Sequence, residues 1–235
     1  MFRWGRFKWI VLGVAAIGAI ALGAWWYDAH RTKAALLDQA VYRALEEHDR
    51  ELFDELLAGY RRYQHRKSSR EEFINFANAR ISEQATRSLA HASQDAVLAL
   101  VADMLATARR LQTAPGDACF RFWFPEVSGP PDVATLVDAG AQAHTFSLMA
   151  EVILSAARQP VPLPDEDPVK EDLARVINEI YEQFGADAQM LAHSADPRVD
   201  RAKVCTIAIS LYERVLRLPP ARASALIRTM APGNL

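Results

Sequence analysis

An uncharged apolar run near the N-terminus constrains the fold of this chain more than any other feature. Trp9–Trp26 reads WIVLGVAAIGAIALGAWW, without a charged or strongly polar side chain. A helix of about 18 residues reaches about 27 Å, close to the ~30 Å hydrocarbon core of a bilayer. A helix also satisfies its backbone hydrogen bonds internally, as lipid requires. We therefore predict a transmembrane anchor over residues 9–27, with the lipid bilayer as its partner.

Basic residues before this run predict its orientation. Arg3, Arg6 and Lys8 precede it, and no acidic residue occurs before it. Because positively charged flanks stay in the cytoplasm, residues 1–8 are expected to form a cytoplasmic tail and residues 28–235 an extracytoplasmic helical domain. The expected location is the inner (cytoplasmic) membrane of a bacterium. The protein would be single-pass, with its C-terminal domain in the periplasm.

Two observations leave alternatives to an uncleaved anchor in this orientation. Arg31 and Lys33 place positive charge on the far flank as well. The small residues at 19–21 (AIA) would suit cleavage of a signal peptide. Against cleavage, the apolar run continues past them into Trp25 and Trp26. Aromatic residues at both ends are typical of a spanning helix.

Three small residues share one face of the predicted span. Ala15, Ala19 and Gly23 recur every four positions. This spacing lets two membrane helices approach closely, so a homodimer through the transmembrane helix is one hypothesis. Alanine-rich spans also contain such triplets by chance, and we favour that explanation.

The rest of the chain has the three- and four-residue apolar spacing of amphipathic helices. No stretch alternates for long enough to make a sheet. The predicted fold class is all-α: an N-terminal transmembrane helix, then an elongated bundle of about five to seven helices with one aromatic-rich loop. No Gly or Pro occurs between Trp25 and Ala58, so the anchor is expected to continue as a rigid stalk. The proline-rich linker at 159–168 is a candidate sub-boundary, although a single domain is preferred.

Capping patterns predict where several helices begin. Ser69 with Glu72 fits a capping box. Asp132, which follows two prolines, is expected to cap a long helix. The Asp-Pro pairs at 167–168 and 196–197 are expected to open two more.

The chain contains two cysteines, Cys119 and Cys205. In an oxidising periplasm they are predicted to form a disulfide. The closed loop would stabilise the fold by about 4–5 kcal/mol in the chain-entropy model. The alternative is two unrelated buried thiols, since free cysteine is common in protein cores.

An aromatic stretch at residues 116–131, GDACFRFWFPEVSGPP, surrounds the first cysteine. A strand-like alternation would place Phe120, Phe122 and Phe124 on one side and Trp123 opposite. We expect these four rings to form a structural plug in the bundle.

The sequence contains no HExxH, CxxC, GxSxG or glycine-rich phosphate loop, so no metal, cofactor or catalytic site is predicted. His144, in the most apolar predicted helix, is interpreted as a core residue rather than a ligand. Glu126 is the one weak catalytic candidate, because a carboxyl beside aromatic rings can act as a general acid. We favour a solvated loop acid, since no second catalytic group accompanies it.

The densest basic patch is RRYQHRK, residues 61–67. Such a patch could contact anionic lipid or nucleic acid. An upright stalk would place it roughly 50 Å from the membrane, far beyond a Debye length of ~8 Å. An extracytoplasmic location argues against nucleic acid. We interpret the patch as a solvated turn between helices.

Two functions of different classes remain. The first is a binding, assembly or scaffold module of the cell envelope that performs no catalysis and holds another envelope protein. It accounts for the anchor, the helical body and the lack of catalytic motifs. The alternative is an envelope enzyme, for example a glycan-cleaving one with Glu126 as general acid. A cleft beside Glu126 holding a second carboxylate or a tyrosine would favour the enzyme.

Overall fold

The computed structural model describes residues 31–231. The predicted anchor at 9–27, with Ala15, Ala19 and Gly23, lies outside the described residues. Within residues 31–231, no helix is both long enough and apolar enough to cross a bilayer.

The described residues form helices and no strand, which confirms the all-α class. Residues 31–37 are helical. The helices that follow are α1 (Ala40–His48), α2 (Arg50–Gln64), α3 (Arg70–Leu89), α4 (Gln94–Gln112), α5 (Ala118–Trp123), α6 (Pro125–Ser128), α7 (Val133–Leu136), α8 (Ala139–Arg158), α9 (Glu166–Phe184), α10 (Arg201–Arg217) and α11 (Pro220–Met230). A 3-10 helix, Gly185–Leu191, lies between α9 and α10. These helices outnumber the predicted five to seven, because the first stretch is interrupted and short helices replace the predicted aromatic loop.

The predicted rigid stalk is wrong. The helix is interrupted at residues 38–39 and again at Asp49, whose carboxylate accepts a hydrogen bond from the Leu52 N–H at 3.1 Å and so caps α2. Instead of extending away, α1 packs against α8, and α2 packs against α3. Gly59 permits the second contact, since a Cβ atom there would lie 3.0 Å from the Phe76 ring.

Of two predicted helix starts, the one at Ser69 is confirmed and the one at Asp132 is wrong. The capping box is confirmed: Ser69 Oγ accepts from the Glu72 N–H at 3.1 Å, and the Glu72 carboxylate accepts from the Ser69 N–H at 2.6 Å. The long helix capped by Asp132 is wrong, because α7 ends after four residues. Asp138 caps α8 instead and accepts from the Ala141 N–H at 2.9 Å.

The Asp-Pro pairs do not mark the helix starts. Asp165 occupies the cap of α9, so this helix begins before the pair at 167–168. Asp200 caps α10 through its side chain. Asp196 instead accepts hydrogen bonds from the Arg198 side chain and backbone, which lower the pKa of Asp196 to about 2.

Helix α8 is central, because α1, α3 and α4 all pack against it. Its Ala150 and Ile153 belong to a buried cluster with side chains from α1, α2 and α3. Its Val152 belongs to a second cluster with side chains from α4, α9, α10 and α11.

The linker at 159–168 is tied to the bundle by hydrogen bonds. The Val161 N–H donates to the His91 carbonyl at 2.8 Å. The buried Arg228 guanidinium donates to the Ala90 carbonyl at 2.9 Å and to the Val161 carbonyl at 3.1 Å. Its burial lowers the pKa of Arg228. The second buried cluster contains side chains from both before and after this linker.

Candidate functional site

A disulfide ties the short helix α5 to α10. Cys119 and Cys205 lie at disulfide distance, with Cα atoms 5.8 Å apart and their sulfurs bonded. Both side chains are buried, in a cluster that also includes side chains of α4. The predicted pairing agrees with this geometry, and it links positions 86 residues apart in the sequence.

The aromatic stretch is helical, which corrects both the predicted loop and its strand-like alternation. Of its four rings only Phe120 is fully buried, at 1% exposure. Phe122, Trp123 and Phe124 are partly exposed. Phe120 stacks on Phe124, with ring centroids 5.2 Å apart, one helical turn along the chain. We call residues 116–136, which include α5, α6 and α7, the aromatic segment.

Trp123 packs onto α10 through a parallel stack on Tyr212. Burial of the phenol in this contact raises the pKa of Tyr212. The Trp123 Nε1 atom is buried without a hydrogen-bond partner among residues 31–231. The Phe122 ring lies edge-on to the indole, with 5.4 Å between the ring centroids.

Two arginines hold the aromatic segment in place. The Arg201 guanidinium forms an ion pair with Asp117 and lies 5.0 Å from the Phe120 ring centroid, a cation–π distance. Arg121 Nε donates to the Gly129 carbonyl at 3.0 Å, and its Nη2 donates to the next carbonyl at 2.5 Å. The start of the segment and its central turn are therefore both fixed by charged hydrogen bonds.

Glu126, the candidate general acid, is exposed on α6. It forms no hydrogen bond or ion pair with another described residue. No tyrosine hydroxyl of residues 31–231 is therefore hydrogen-bonded to its carboxyl group.

The described histidines do not form a metal site. His144 is exposed on α8, so its interpretation as a core residue is wrong. His91 Nδ1 lies 3.1 Å from the Val161 carbonyl oxygen. Within the described range, no group of three His, Cys, Asp or Glu side chains is placed to hold a metal ion.

The structure contains a cleft that the sequence analysis missed. It has a volume of about 730 Å³ and is lined by Arg31, Thr32, Ala35, Tyr60, Tyr63, Gln64, His65 and Arg66. The Thr32 hydroxyl, 2% exposed as a residue, donates to Gln64 Oε1 at 2.7 Å and joins the two walls. This pairing links positions 32 residues apart, which no local pattern encodes. The basic residues at 61–67 were visible in the sequence, but their position beside residue 31 was not.

The chain matches no protein-family model, no curated protein and no solved structure.

Proposed function

We propose that this chain is a single-pass membrane protein that acts as a binding and assembly module of the bacterial cell envelope. Residues 9–27 would anchor it in the inner membrane, and residues 28–235 would form its periplasmic body. The observation that carries the proposal is the aromatic segment, which is rigidly held yet leaves apolar side chains at the surface.

The rigidity of the aromatic segment rests on contacts at several points along it. The Cys119–Cys205 disulfide and the Arg201–Asp117 ion pair fix its start. Arg121 fixes its central turn. A surface that is already ordered loses less conformational entropy on binding, so it binds a partner more tightly for the same contacts.

The exposed chemistry of the segment suits a protein partner. Phe122, Trp123 and Phe124 are partly exposed, and Leu136 is 38% exposed. Aromatic side chains and arginine are enriched in protein interfaces, and energetically dominant contacts are often tryptophan. We therefore expect another envelope protein to contact the aromatic segment.

Site-specific photo-crosslinking in membranes tests this function. A photoreactive phenylalanine analogue at position 136 should give one discrete crosslinked product, because this position borders the proposed contact. The matched control is position 181 on α9, where Tyr181 is 43% exposed and the same analogue should give no product. An intact, membrane-bound chain that crosslinks at neither position contradicts the proposal.

Glu126→Gln separates this function from the enzymatic alternative. A binding module should keep its crosslinked product and should complement a deletion strain as the unchanged chain does, because the exposed Glu126 carboxyl has no described partner. A Glu126→Gln chain that crosslinks and melts normally yet fails to complement would favour an enzyme instead.

A further inference from the structure

Unpaired basic side chains are concentrated at one place in the described bundle. They lie in the last turn of α2, in the turn that follows it and beside it at residue 31: Arg31, Arg61, Arg62, Arg66 and Lys67. None of them forms an ion pair with another described residue. We call these five residues the basic patch.

Among residues 31–231, the acids nearest to the basic patch in the sequence do not neutralise it. No acidic residue occurs between Glu55 and Glu71. Glu55 is bound to Arg80, and Glu72 is held in the capping box of α3. Of these three acids, only the exposed Glu71 has neither an ion pair nor a side-chain hydrogen bond with another described residue. The patch therefore presents a net positive surface to solvent.

The shape of the protein beside the basic patch also indicates a binding surface. Arg66 has a φ of 56°, in the left-handed region that glycine and asparagine adopt more easily. This conformation ends α2, where the Lys67 N–H donates to the Arg62 carbonyl at 2.8 Å. Arg66 lines the cleft of about 730 Å³, together with Arg31 and the rings of Tyr60 and Tyr63.

The fold places this patch close to the predicted membrane anchor. Thr32 is hydrogen-bonded to Gln64 at 2.7 Å, so the patch lies beside residue 31. Arg31 follows Tyr27, the end of the predicted span, by four residues, which cover at most about 14 Å even when fully extended. This bound holds for Arg31 and falls within two Debye lengths of ~8 Å, whereas an upright stalk would place residues 61–67 roughly 50 Å from the membrane.

We propose that the basic patch and its cleft bind anionic phospholipid headgroups of the membrane that holds the anchor. Arginine and lysine pair with phosphate oxygens, and tyrosine is enriched at the membrane–water interface. Basic side chains near a membrane respond to its negative surface potential, so several together hold the bundle against the bilayer. The inference rests on the proposed anchor, and its chemistry is the same in either leaflet.

Lysine labelling of the full chain in lipid nanodiscs tests this inference. One set of discs contains only zwitterionic phosphatidylcholine, and the other also contains anionic phosphatidylglycerol. The acetylation rate of Lys67, read by mass spectrometry, should fall about threefold or more in the anionic discs, because the headgroups cover the amine and raise its local proton concentration. It should recover in about 1 M salt, where the Debye length is about 3 Å. Lys170, exposed on α9 and paired with Glu166, is the internal control and should react equally in both discs.

A matched pair of variants assigns the effect to the patch. Arg62→Gln with Arg66→Gln should remove most of the protection of Lys67. Arg110→Gln with Arg217→Gln removes the same charge from exposed positions elsewhere and should leave the protection unchanged. Both double variants should melt as the unchanged chain does.

The outcomes separate this inference from the anchor on which it rests. Equal labelling of Lys67 in both discs, with the chain present in each, overturns the lipid site and leaves the anchor standing. The alternative ligands are duplex DNA and inorganic phosphate. If either one slows the acetylation of Lys67 in phosphatidylcholine discs while phosphatidylglycerol does not, the lipid site is overturned in favour of that ligand. A chain that does not co-purify with any nanodisc contradicts the anchor and overturns both proposals.

Discussion

The indole of Trp123 lies parallel to the ring of Tyr212, with the ring centroids 4.6 Å apart and an interplanar angle of 7°. This stack lies one turn beyond Cys119 on α5 and two turns beyond Cys205 on α10. The disulfide and the stack therefore join the same faces of the same two helices. A helix of six residues is not stable alone, so these two ties account for the order of α5.

Removing the Trp123 ring should loosen α5. We expect Trp123→Ala to lower the free energy of unfolding by about 2–3 kcal/mol, below the value for a fully buried tryptophan because the side chain is partly exposed. Trp123→Phe should cost less than half as much, since it keeps a ring on Tyr212 and removes the unpaired Nε1–H. Denaturant titration in detergent measures both changes. Equal losses for the two variants would contradict the stacking argument.

Breaking the disulfide should destabilise the bundle without changing its fold. In the chain-entropy model, Cys119→Ala with Cys205→Ala should lower the free energy of unfolding by about 4–5 kcal/mol. A reducing agent should lower the melting temperature of the unchanged chain and have no effect on this double variant. Non-reducing peptide mass spectrometry checks the bond itself. Unlinked peptides from membrane-isolated protein would contradict it.

Local patterns predicted some elements and misled on others for identifiable reasons. The capping box at Ser69 depends on residues three apart, so the sequence contains the whole signal. The break at Asp49 had a local signal too, since aspartate is a preferred cap, but the absence of Gly and Pro suggested continuity. The helical form of the aromatic stretch depends on contacts with α10, far along the chain, so alternation was the wrong guide.

Some of the candidate sites could likewise be predicted from the sequence, and others could not. The cysteine pair was predictable because the chain contains no other cysteine. The surroundings of the basic patch were not predictable, because they depend on the Thr32–Gln64 contact and on the fold of the residues between these two positions. His144 was misjudged because an apolar sequence does not reveal which face of α8 its neighbours cover.

The rings of the aromatic segment should differ in their contribution to stability. Phe120 is 1% exposed, so Phe120→Ala should cost about 3–5 kcal/mol. Phe122→Ala should cost at most about half of that, since Phe122 is partly exposed. Thermal melting of the two variants measures the difference. A larger loss of stability for Phe122→Ala than for Phe120→Ala would contradict the burial of these two rings in the structure.

The buried acid Asp172 should stabilise the contact between α9 and α11. Asp172 is 2% exposed, and Arg222 Nε donates to its Oδ2 at 2.6 Å across the two helices, while Arg175 pairs with its other oxygen. Asp172→Asn keeps the size but removes the charge, and we expect a loss of about 1–3 kcal/mol in the free energy of unfolding. The neighbouring Glu171 is exposed, so Glu171→Gln should stay within about 0.5 kcal/mol. Denaturant titration compares the two variants. A loss for Asp172→Asn as small as that for Glu171→Gln would show that the ion pairs of Asp172 contribute nothing.

A fusion to alkaline phosphatase tests whether a membrane anchor holds the helical body outside the cytoplasm. Alkaline phosphatase joined to the C-terminus is active only where its own disulfides form, in the periplasm. We expect an active fusion that stays with the membranes after a carbonate wash, because residues 9–27 are proposed to span the bilayer uncleaved. An inactive fusion would indicate that the C-terminus lies in the cytoplasm, opposite to the proposed orientation. An active fusion that the wash releases would contradict the anchor.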